Sequence, residues 1–118
     1  MNQKLSLYHE ARPWGHFVNI NEEPGKKEKI ITVKPGQSLS YQRHKHREET
    51  WLIVSGSGVF VLDEEEKPVY ELDEVFIPKM AKHRIKAGEK GVVIYEIQKG
   101  EYLEEDDIER FSDDYGRV

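Results

Sequence analysis

Three histidines and one glutamate carry the clearest chemical signal in this sequence. His44 and His46 are two residues apart, and on a β-strand that spacing places both imidazoles on one face. Glu49 follows three residues later, across a short bend, and His83 lies far along the chain after a turn at Pro78. Neutral imidazoles together with a carboxylate suit a borderline divalent ion, so these four residues predict a site for one ion of Zn, Mn, Co, Fe or Ni.

Basic and polar side chains flank the predicted ligands. Gln42 would share the strand face of His44. Arg47, Lys82 and Arg84 each stand directly beside a predicted ligand in the sequence. A guanidinium at such a place can hold a phosphate through two parallel hydrogen bonds. These residues are therefore predicted to bind an anionic substrate. For Arg47 or Arg84 taken singly, an ordinary surface ion pair is an equally open interpretation.

The segments that must position these residues read as short β-strands between turn signals. Such strands favour an antiparallel sandwich or barrel, and no segment of about 10–15 residues has helical periodicity. The C-terminal end is the exception, because Ile108 and Phe111 follow Asp106 and Asp107 at a spacing that predicts a short helical turn. The predicted strands span residues 17–20, 29–33, 38–44, 50–54, 59–62, 69–72, 75–77, 83–86 and 92–97.

Composition limits the class of protein. A chain of 118 residues fits one domain. Its net charge of −5 disfavours a nucleic-acid partner, and the absence of cysteine excludes disulfides and thiolate metal sites. Residues 1–8 lack the apolar core of a signal peptide, and no apolar run approaches the roughly 20 residues of a membrane span. The sequence therefore predicts a cytoplasmic protein with no membrane partner.

Two stretches resemble the motifs of a known superfamily. They read PGQSLSYQRHKHREETWLIVSGSG and LDEVFIPKMAKHRI. Gly56 lies seven residues after Glu49, and Pro78 lies five before His83, which resembles the two cupin motifs. The resemblance implies an all-β, double-stranded β-barrel (jelly roll). Three positions depart from the motifs, none of them a ligand: Leu72 and Met80 replace glycine, and Ala87 replaces asparagine.

A narrower resemblance covers nearly the whole chain. It is carried by the segments ARPWG, VKPGQSLSYQRHKHREETW, IPKMAKHR and EIQKGEYLEEDDIERFSDDYGR. These are similar to the C-terminal phosphomannose isomerase domain of the type II family, which often follows a GDP-mannose pyrophosphorylase domain. The resemblance implies a single cupin domain over residues 1–118, with an N-terminal arm of about 1–14, a barrel of about 15–98 and a C-terminal arm of about 99–118.

The resemblance also implies an activity. The expected reaction is metal-dependent aldose–ketose isomerisation between mannose 6-phosphate and fructose 6-phosphate, in which a metal stabilises enediolate charge. Arg47 and Glu49 are the expected catalytic residues, although ligation would reduce the basicity of Glu49. Arg12, Arg110 and Arg117 match the family pattern without a role derived from the sequence. Two alternatives stay open: a non-catalytic metal cupin that binds a sugar or sugar phosphate, and a metal-dependent cupin oxygenase.

The resemblance also carries an expectation about the oligomeric state. Small cupins commonly pair through their barrel faces, so the resemblance implies a homodimer. The polar N-terminal arm before Arg12 is expected to lie across the partner subunit. The only other predicted partner is a small phosphosugar substrate.

Overall fold

The computed structural model describes residues 8–117, and this part of the chain forms nine β-strands and no helix. The all-β class and the barrel predicted from the sequence are confirmed. The strands are β1 (Tyr8–Arg12), β2 (Gly15–Glu23), β3 (Lys26–Val33), β4 (Tyr41–Arg43), β5 (Arg47–Leu62), β6 (Glu65–Tyr70), β7 (Glu74–Ile77), β8 (His83–Gly100) and β9 (Glu109–Ser112).

Two long strands, β5 and β8, form the frame of the fold. They pair antiparallel along their whole length, with register shifts on either side of Gly56. Gly56 and Gly91 have φ angles of +80° and +77°, and a Cβ on Gly56 would lie 2.1 Å from the carbonyl oxygen of Gly91. Only glycine permits this approach. The sequence predicted separate strands on either side of these glycines, whereas the structure has single strands that bend there.

The bend divides the curled sheet into two halves. In the first half the strand order is β1-β2-β3-β8-β5-β7, and in the second half β6, β4 and β9 join the other ends of β5 and β8. Trp51 and Phe60, from the two ends of β5, meet inside with ring centroids 5.5 Å apart. The interior of the barrel is therefore a core shared by both halves.

The barrel interior contains polar side chains as well as an apolar core. Along β3, side chains alternate between half-buried and buried positions, as one face of a sheet requires. The buried apolar residues include Trp14, Phe17, Ile31, Val33, Leu39, Ile53, Ile77, Ile85 and Ile94. Buried among them are His44, Arg47, Glu49, His83, Glu96 and Gln98. Charged side chains are seldom buried unless they are paired or functional, so this cluster marks the candidate site.

The predicted C-terminal helical turn does not form in the described residues. Residues 105–106 make a turn, and strand β9 follows it and pairs with β4. The apolar Phe111 packs edge-on against Tyr41 across this pair, with centroids 6.2 Å apart. Its spacing from Ile108 therefore reflects a strand contact and not a helical face. Of the predicted N-terminal arm, residues 1–7 lie outside the described residues, and Tyr8–Arg12 form the edge strand β1.

Candidate metal centre

Three of the four predicted ligands meet inside the barrel. His44 follows the end of β4, Glu49 lies near the start of β5, and His83 begins β8. Their candidate ligand atoms all lie within 4.8 Å of one another. Glu49 lies between the two rings, with Oε2 3.3 Å from His44 Nε2 and Oε1 3.8 Å from His83 Nε2. Two imidazoles and a carboxylate thus converge on one point.

Both histidines are held in the tautomer that metal ligation needs. Nδ1 of His44 is 2.6 Å from the backbone oxygen of Asp107, and Nδ1 of His83 is 3.0 Å from that of Ala81. A carbonyl oxygen only accepts, so Nδ1 carries the proton and Nε2 presents its lone pair towards Glu49. Burial lowers the pKa of His44 to about 4 and also lowers the pKa of His83. Both rings are neutral at pH 7, and this donor set fits a divalent ion.

Arg47 lies inside the barrel and not at its rim. Its Nε donates to Oε2 of Glu49 at 2.8 Å, and its Nη2 is 3.3 Å from Nε2 of His44. Burial acts to raise the pKa of Glu49, but the charge of Arg47, together with smaller contributions from His44, His83 and Glu96, outweighs that effect and holds this pKa well below its ordinary value. Glu49 is therefore a carboxylate, and Arg47 already partners one of its oxygens.

A second carboxyl group, Glu96, lies behind Glu49. The indole Nε1 of Trp51 donates to Glu49 Oε1 and to Glu96 Oε2, each at 3.0 Å, and Gln98 Nε2 donates to Glu96 Oε1 at 2.6 Å. Burial and the negative charge of Glu49 raise the pKa of Glu96 to about 8. Glu96 is thus mostly a neutral acid at pH 7. Sequence reasoning missed it, although two polar residues alternating in the apolar strand β8 were a signal.

The structure does not bring His46 to the cluster. His46 is exposed, and its ring meets that of Tyr102 at a centroid distance of 5.8 Å. Residues 44–46 lie in the bend between β4 and β5, so the strand alternation that would place His46 beside His44 does not apply. The four-ligand set predicted from the sequence becomes a three-ligand set in the structure.

The predicted substrate-binding residues divide into two groups. Gln42 and Arg47 line the cavity above the cluster. Lys82 and Arg84 lie outside it: Lys82 Nζ is 4.3 Å from the centroid of the Phe111 ring, and Arg84 Nη2 is 3.4 Å from a carboxylate oxygen of Asp114. Both residues flank the inward-facing His83 in the sequence, and the contacts of their side chains lie on the opposite side of the chain from the cavity.

Four further cations line the same cavity: Arg12, Lys29, Arg110 and Arg117. Lys29 and Arg117 are paired with carboxylates, at 2.6 Å to Glu105 and 2.8 Å to Asp113. Arg110 differs, because its Nε is buried without a hydrogen-bond partner among the described residues. These cations come from opposite ends of the chain, so local sequence patterns gave no sign that they meet.

The fold and the buried His–Glu cluster define this chain as a cupin. Solved structures with the same fold include the capsular polysaccharide assembling protein CapF from Staphylococcus aureus (TM-score 0.75, 22% identity, covering 92% of this chain and 35% of that chain). Another is oxalate decarboxylase from Bacillus subtilis (TM-score 0.78, 17% identity, covering 89% and 30%). A third, KdgF from Halomonas sp., is matched over 94% of its own length (TM-score 0.75, 14% identity, 90% of this chain).

The chain belongs to the family described as "Mannose-6-phosphate isomerase C-terminal", whose profile matches residues 2–113. Among curated relatives, it is 42% identical over 108 residues to mannose-1-phosphate guanylyltransferase of Escherichia coli K12 (91% of this chain, 23% of the relative). It is 45% identical over 108 residues to the alginate biosynthesis protein AlgA of Pseudomonas putida (91% and 22%). The chain thus spans less than a quarter of the length of these relatives.

The relatives contradict the predicted activity. They are named a guanylyltransferase and an alginate biosynthesis protein, and a third, from Xanthomonas campestris, is a xanthan biosynthesis protein that is 44% identical. The prediction that this domain is a mannose-6-phosphate isomerase was therefore wrong, as was the enzyme class that followed from it. The four segments that suggested it mark the cupin family and its fold, not a reaction. No helix long and apolar enough to span a membrane occurs within residues 8–117.

Proposed function

We propose that this domain is a binding module that holds a divalent metal ion on His44, Glu49 and His83 and, beside it, the phosphate of a mannose phosphate. When bound, the metal would supply a Lewis-acid position for a ligand oxygen. The chain's own residues supply the rest, namely cations for the phosphate and a polar cavity wall. This proposal keeps the sugar-phosphate-binding alternative that the sequence left open.

One observation carries the proposal: two guanidinium nitrogens in the same cavity lack a partner. Nη1 of Arg47 and Nε of Arg110 are both buried without a hydrogen-bond acceptor among the described residues, and both side chains line the cavity. A buried donor left unpaired costs about 1–3 kcal/mol. A phosphate offers several acceptor oxygens to such donors and forms charge-assisted bonds with them.

The size of the cavity allows a metal ion and one phosphoryl group to enter. Its volume is about 100 Å³, which is room for several water molecules. In the proposed complex the phosphate occupies this space, and the sugar ring lies towards the cavity mouth.

The names of the relatives suggest which phosphate to test. Mannose 1-phosphate appears in the name of the guanylyltransferases, so it is the ligand that we propose. The nucleotidyl transfer itself is not proposed for this chain, because the chain matches less than a quarter of those proteins.

Calorimetric titration of the metal-loaded chain tests the proposal. We expect mannose 1-phosphate to bind and free mannose not to bind. Arg47→Gln removes a charged partner of the phosphate, worth about 1.5–3 kcal/mol, so affinity should fall by roughly 10- to 150-fold. Arg84→Gln is the matched control, since Arg84 lies outside the cavity, and it should bind as wild type does. Equal affinity for mannose and mannose 1-phosphate, or wild-type affinity in the Arg47 variant, would refute the proposal.

A further inference from the structure

A carboxylate of the C-terminal arm lies among the cations of the cavity. Glu105 lines the cavity together with Lys29 and Arg47. Its Oε2 accepts from Nζ of Lys29 at 2.6 Å and lies 4.0 Å from Nζ of Lys27. Partial burial acts to raise the pKa of Glu105, but nearby cations, Lys29 foremost, lower it below its ordinary value. Glu105 is therefore ionised at pH 7, and it engages a cation that a phosphate in the same cavity would also contact.

The two members of this ion pair differ in their freedom to move. The side chain of Lys29 is 5% exposed, whereas that of Glu105 is 46% exposed. Nζ of Lys29 also lies 4.2 Å from the centroid of the Phe17 ring, and this cation–π contact holds the ammonium group independently of Glu105. The carboxylate can therefore turn into solvent while Lys29 stays in the cavity wall.

Release of Glu105 does not detach the C-terminal arm. Before it in the chain, the backbone oxygen of Leu103 accepts from Nζ of Lys27 at 2.7 Å. After it, the carboxylate of Asp107 accepts from two backbone amides of the 44–46 bend. Glu105 lies in the exposed turn between these two attachments. Movement of its side chain thus breaks one ion pair and leaves both attachments intact.

From these contacts we infer that Glu105 competes with the phosphate of the ligand for Lys29, and that Lys29 binds the phosphate once Glu105 has left. The inference rests on the proposed function, because it takes the cavity as a phosphate site. It adds one phosphate-binding residue to that site and one internal competitor. Because the competitor must be displaced, it lowers the apparent affinity of the site for any anion that uses Lys29.

The exchange of partners has a physical reason on each side. A buried lysine without a partner would destabilise the fold, and Glu105 supplies that partner until a ligand arrives. A phosphate monoester carries more than one negative charge at pH 7 and has several acceptor oxygens, so it can contact Lys29 and the other cations of the cavity together. A free carboxylate offers Lys29 nothing that the tethered Glu105 does not already supply, so it does not displace Glu105.

Calorimetric titration of the metal-loaded chain with inorganic phosphate tests the inference. In Glu105→Gln the amide oxygen still accepts from Lys29, but the competing charge is gone. We expect this variant to bind phosphate about 5- to 30-fold more tightly than wild type, the range for a half-exposed ion pair with a hydrogen bond. Glu104→Gln is the matched control, because it makes the same change in net charge at the exposed neighbouring position. Its affinity should stay within about twofold of wild type.

Lys29→Met separates direct competition from a general effect of charge. Methionine keeps a long side chain at this buried position and removes its charge, so phosphate affinity should fall about 10-fold or more. In this background Glu105→Gln should change the affinity less than about twofold, because the two anions no longer share a cation. Circular dichroism of each variant confirms that the compared proteins are folded.

The outcomes distinguish this inference from the proposed function. Wild-type phosphate affinity in Glu105→Gln would overturn the inference and leave the proposed function intact. A gain that persists in the Lys29→Met background would also overturn it, since the effect would then be one of overall charge. If wild type does not bind mannose 1-phosphate but Glu105→Gln binds inorganic phosphate more tightly than wild type, the competition stands and the proposed sugar is wrong. No phosphate binding by either protein would overturn both.

Discussion

Arg47 and a bound metal would share one carboxylate, and this arrangement sets the chemistry of the site. Oε2 of Glu49 accepts from Arg47, while Oε1 accepts from Trp51 and faces His83. The guanidinium keeps Glu49 ionised, so this ligand does not have to lose a proton when a cation binds. The same residue lines the cavity, and its Nη1 has no hydrogen-bond partner among the described residues. Arg47 is therefore placed to connect the ligand cluster with an anionic ligand.

Glu96 gives the site a measurable pH signature. Its pKa is raised from an ordinary 4.5 to about 8, so the folded state holds a proton that the unfolded state has released. The proton on Glu96 therefore stabilises the folded state. This stabilisation is fully present at pH below 4.5 and is lost as pH rises through about 8. A glutamine side chain mimics the protonated carboxyl group and does not ionise, so it keeps this stabilisation at every pH. We predict that Glu96→Gln becomes more stable relative to wild type as pH rises across this window.

Urea denaturation of the metal-free protein at a series of pH values measures this difference. The contribution of His44 to stability has the opposite pH dependence, because its lowered pKa destabilises the fold at acid pH. Both proteins contain His44, so this contribution cancels in the difference between them. Glu89→Gln, at an exposed position of β8, should give a curve parallel to wild type. A Glu96→Gln curve that is also parallel would show that Glu96 is ionised like an ordinary surface glutamate.

At the scale of elements, the C-terminal arm holds a predicted ligand in place. The backbone oxygen of Asp107 accepts from His44 Nδ1, and its carboxylate accepts from the backbone amides of Lys45 and His46 at 2.9 Å each. The arm is fixed in turn by the buried Lys27, whose Nζ donates to a backbone carbonyl of the arm at 2.7 Å. The bend that carries His44 is thus fastened to an element some 60 residues later in the chain.

Asp107 is therefore predicted to position His44 for the metal. Asp107→Ala removes the carboxylate that accepts from the amides of Lys45 and His46 but keeps the backbone oxygen that accepts from His44. The loosened 44–46 bend should weaken metal affinity by about 10- to 100-fold, the range for residues that orient a metal ligand. Competition with a chelator measures the affinity directly. Glu104→Ala, an exposed residue of the same arm, is the control and should bind metal normally. Unchanged affinity in the Asp107 variant would mean that the bend holds its shape alone.

Two turns contain side chains where the cupin motifs have glycine. Leu72 and Met80 have φ angles of +75° and +71°, and they are 76% and 45% exposed. A left-handed conformation costs a non-glycine residue about 1–2 kcal/mol, and glycine loses about 0.5–1 kcal/mol in chain entropy. Met80→Gly should therefore stabilise the fold by up to about 1 kcal/mol.

Thermal or urea unfolding of the Met80 series tests this estimate. Met80→Ala serves as the control, since alanine keeps the unfavourable φ and only shortens the side chain. It should be no more stable than wild type. If glycine and alanine have the same effect, the turn is not strained.

For the whole molecule, the sequence predicted the class of fold and the three clustered ligands of the candidate site, but not the cations and the second carboxyl group around them. Short runs between turn signals indicated an all-β barrel, and the resemblance to the cupin motifs, carried by the spacing of Glu49 from Gly56 and of His83 from Pro78, indicated a ligand cluster. Those features are local because strand alternation and tight turns are set by neighbouring residues. The bend at residues 44–46 breaks alternation, which is why the spacing placed His46 wrongly on the ligand face.

The rest of the site depends on long-range contacts that one sequence does not display. Arg12, Lys29, Arg110 and Arg117 reach the cavity from segments near both ends of the chain. Activity was the least accessible property, since the segments that identify the family do not specify a reaction.

Metal content per chain, measured by mass spectrometry on purified variants, tests the central claim that His44, Glu49 and His83 form the metal site. Wild type should hold close to one divalent ion per chain. His44→Ala and His83→Ala should each remove it, because two remaining ligands bind weakly. His46→Ala should retain it, because His46 lies on the surface. Loss of the metal in the His46 variant, or full occupancy without His44, would contradict this account.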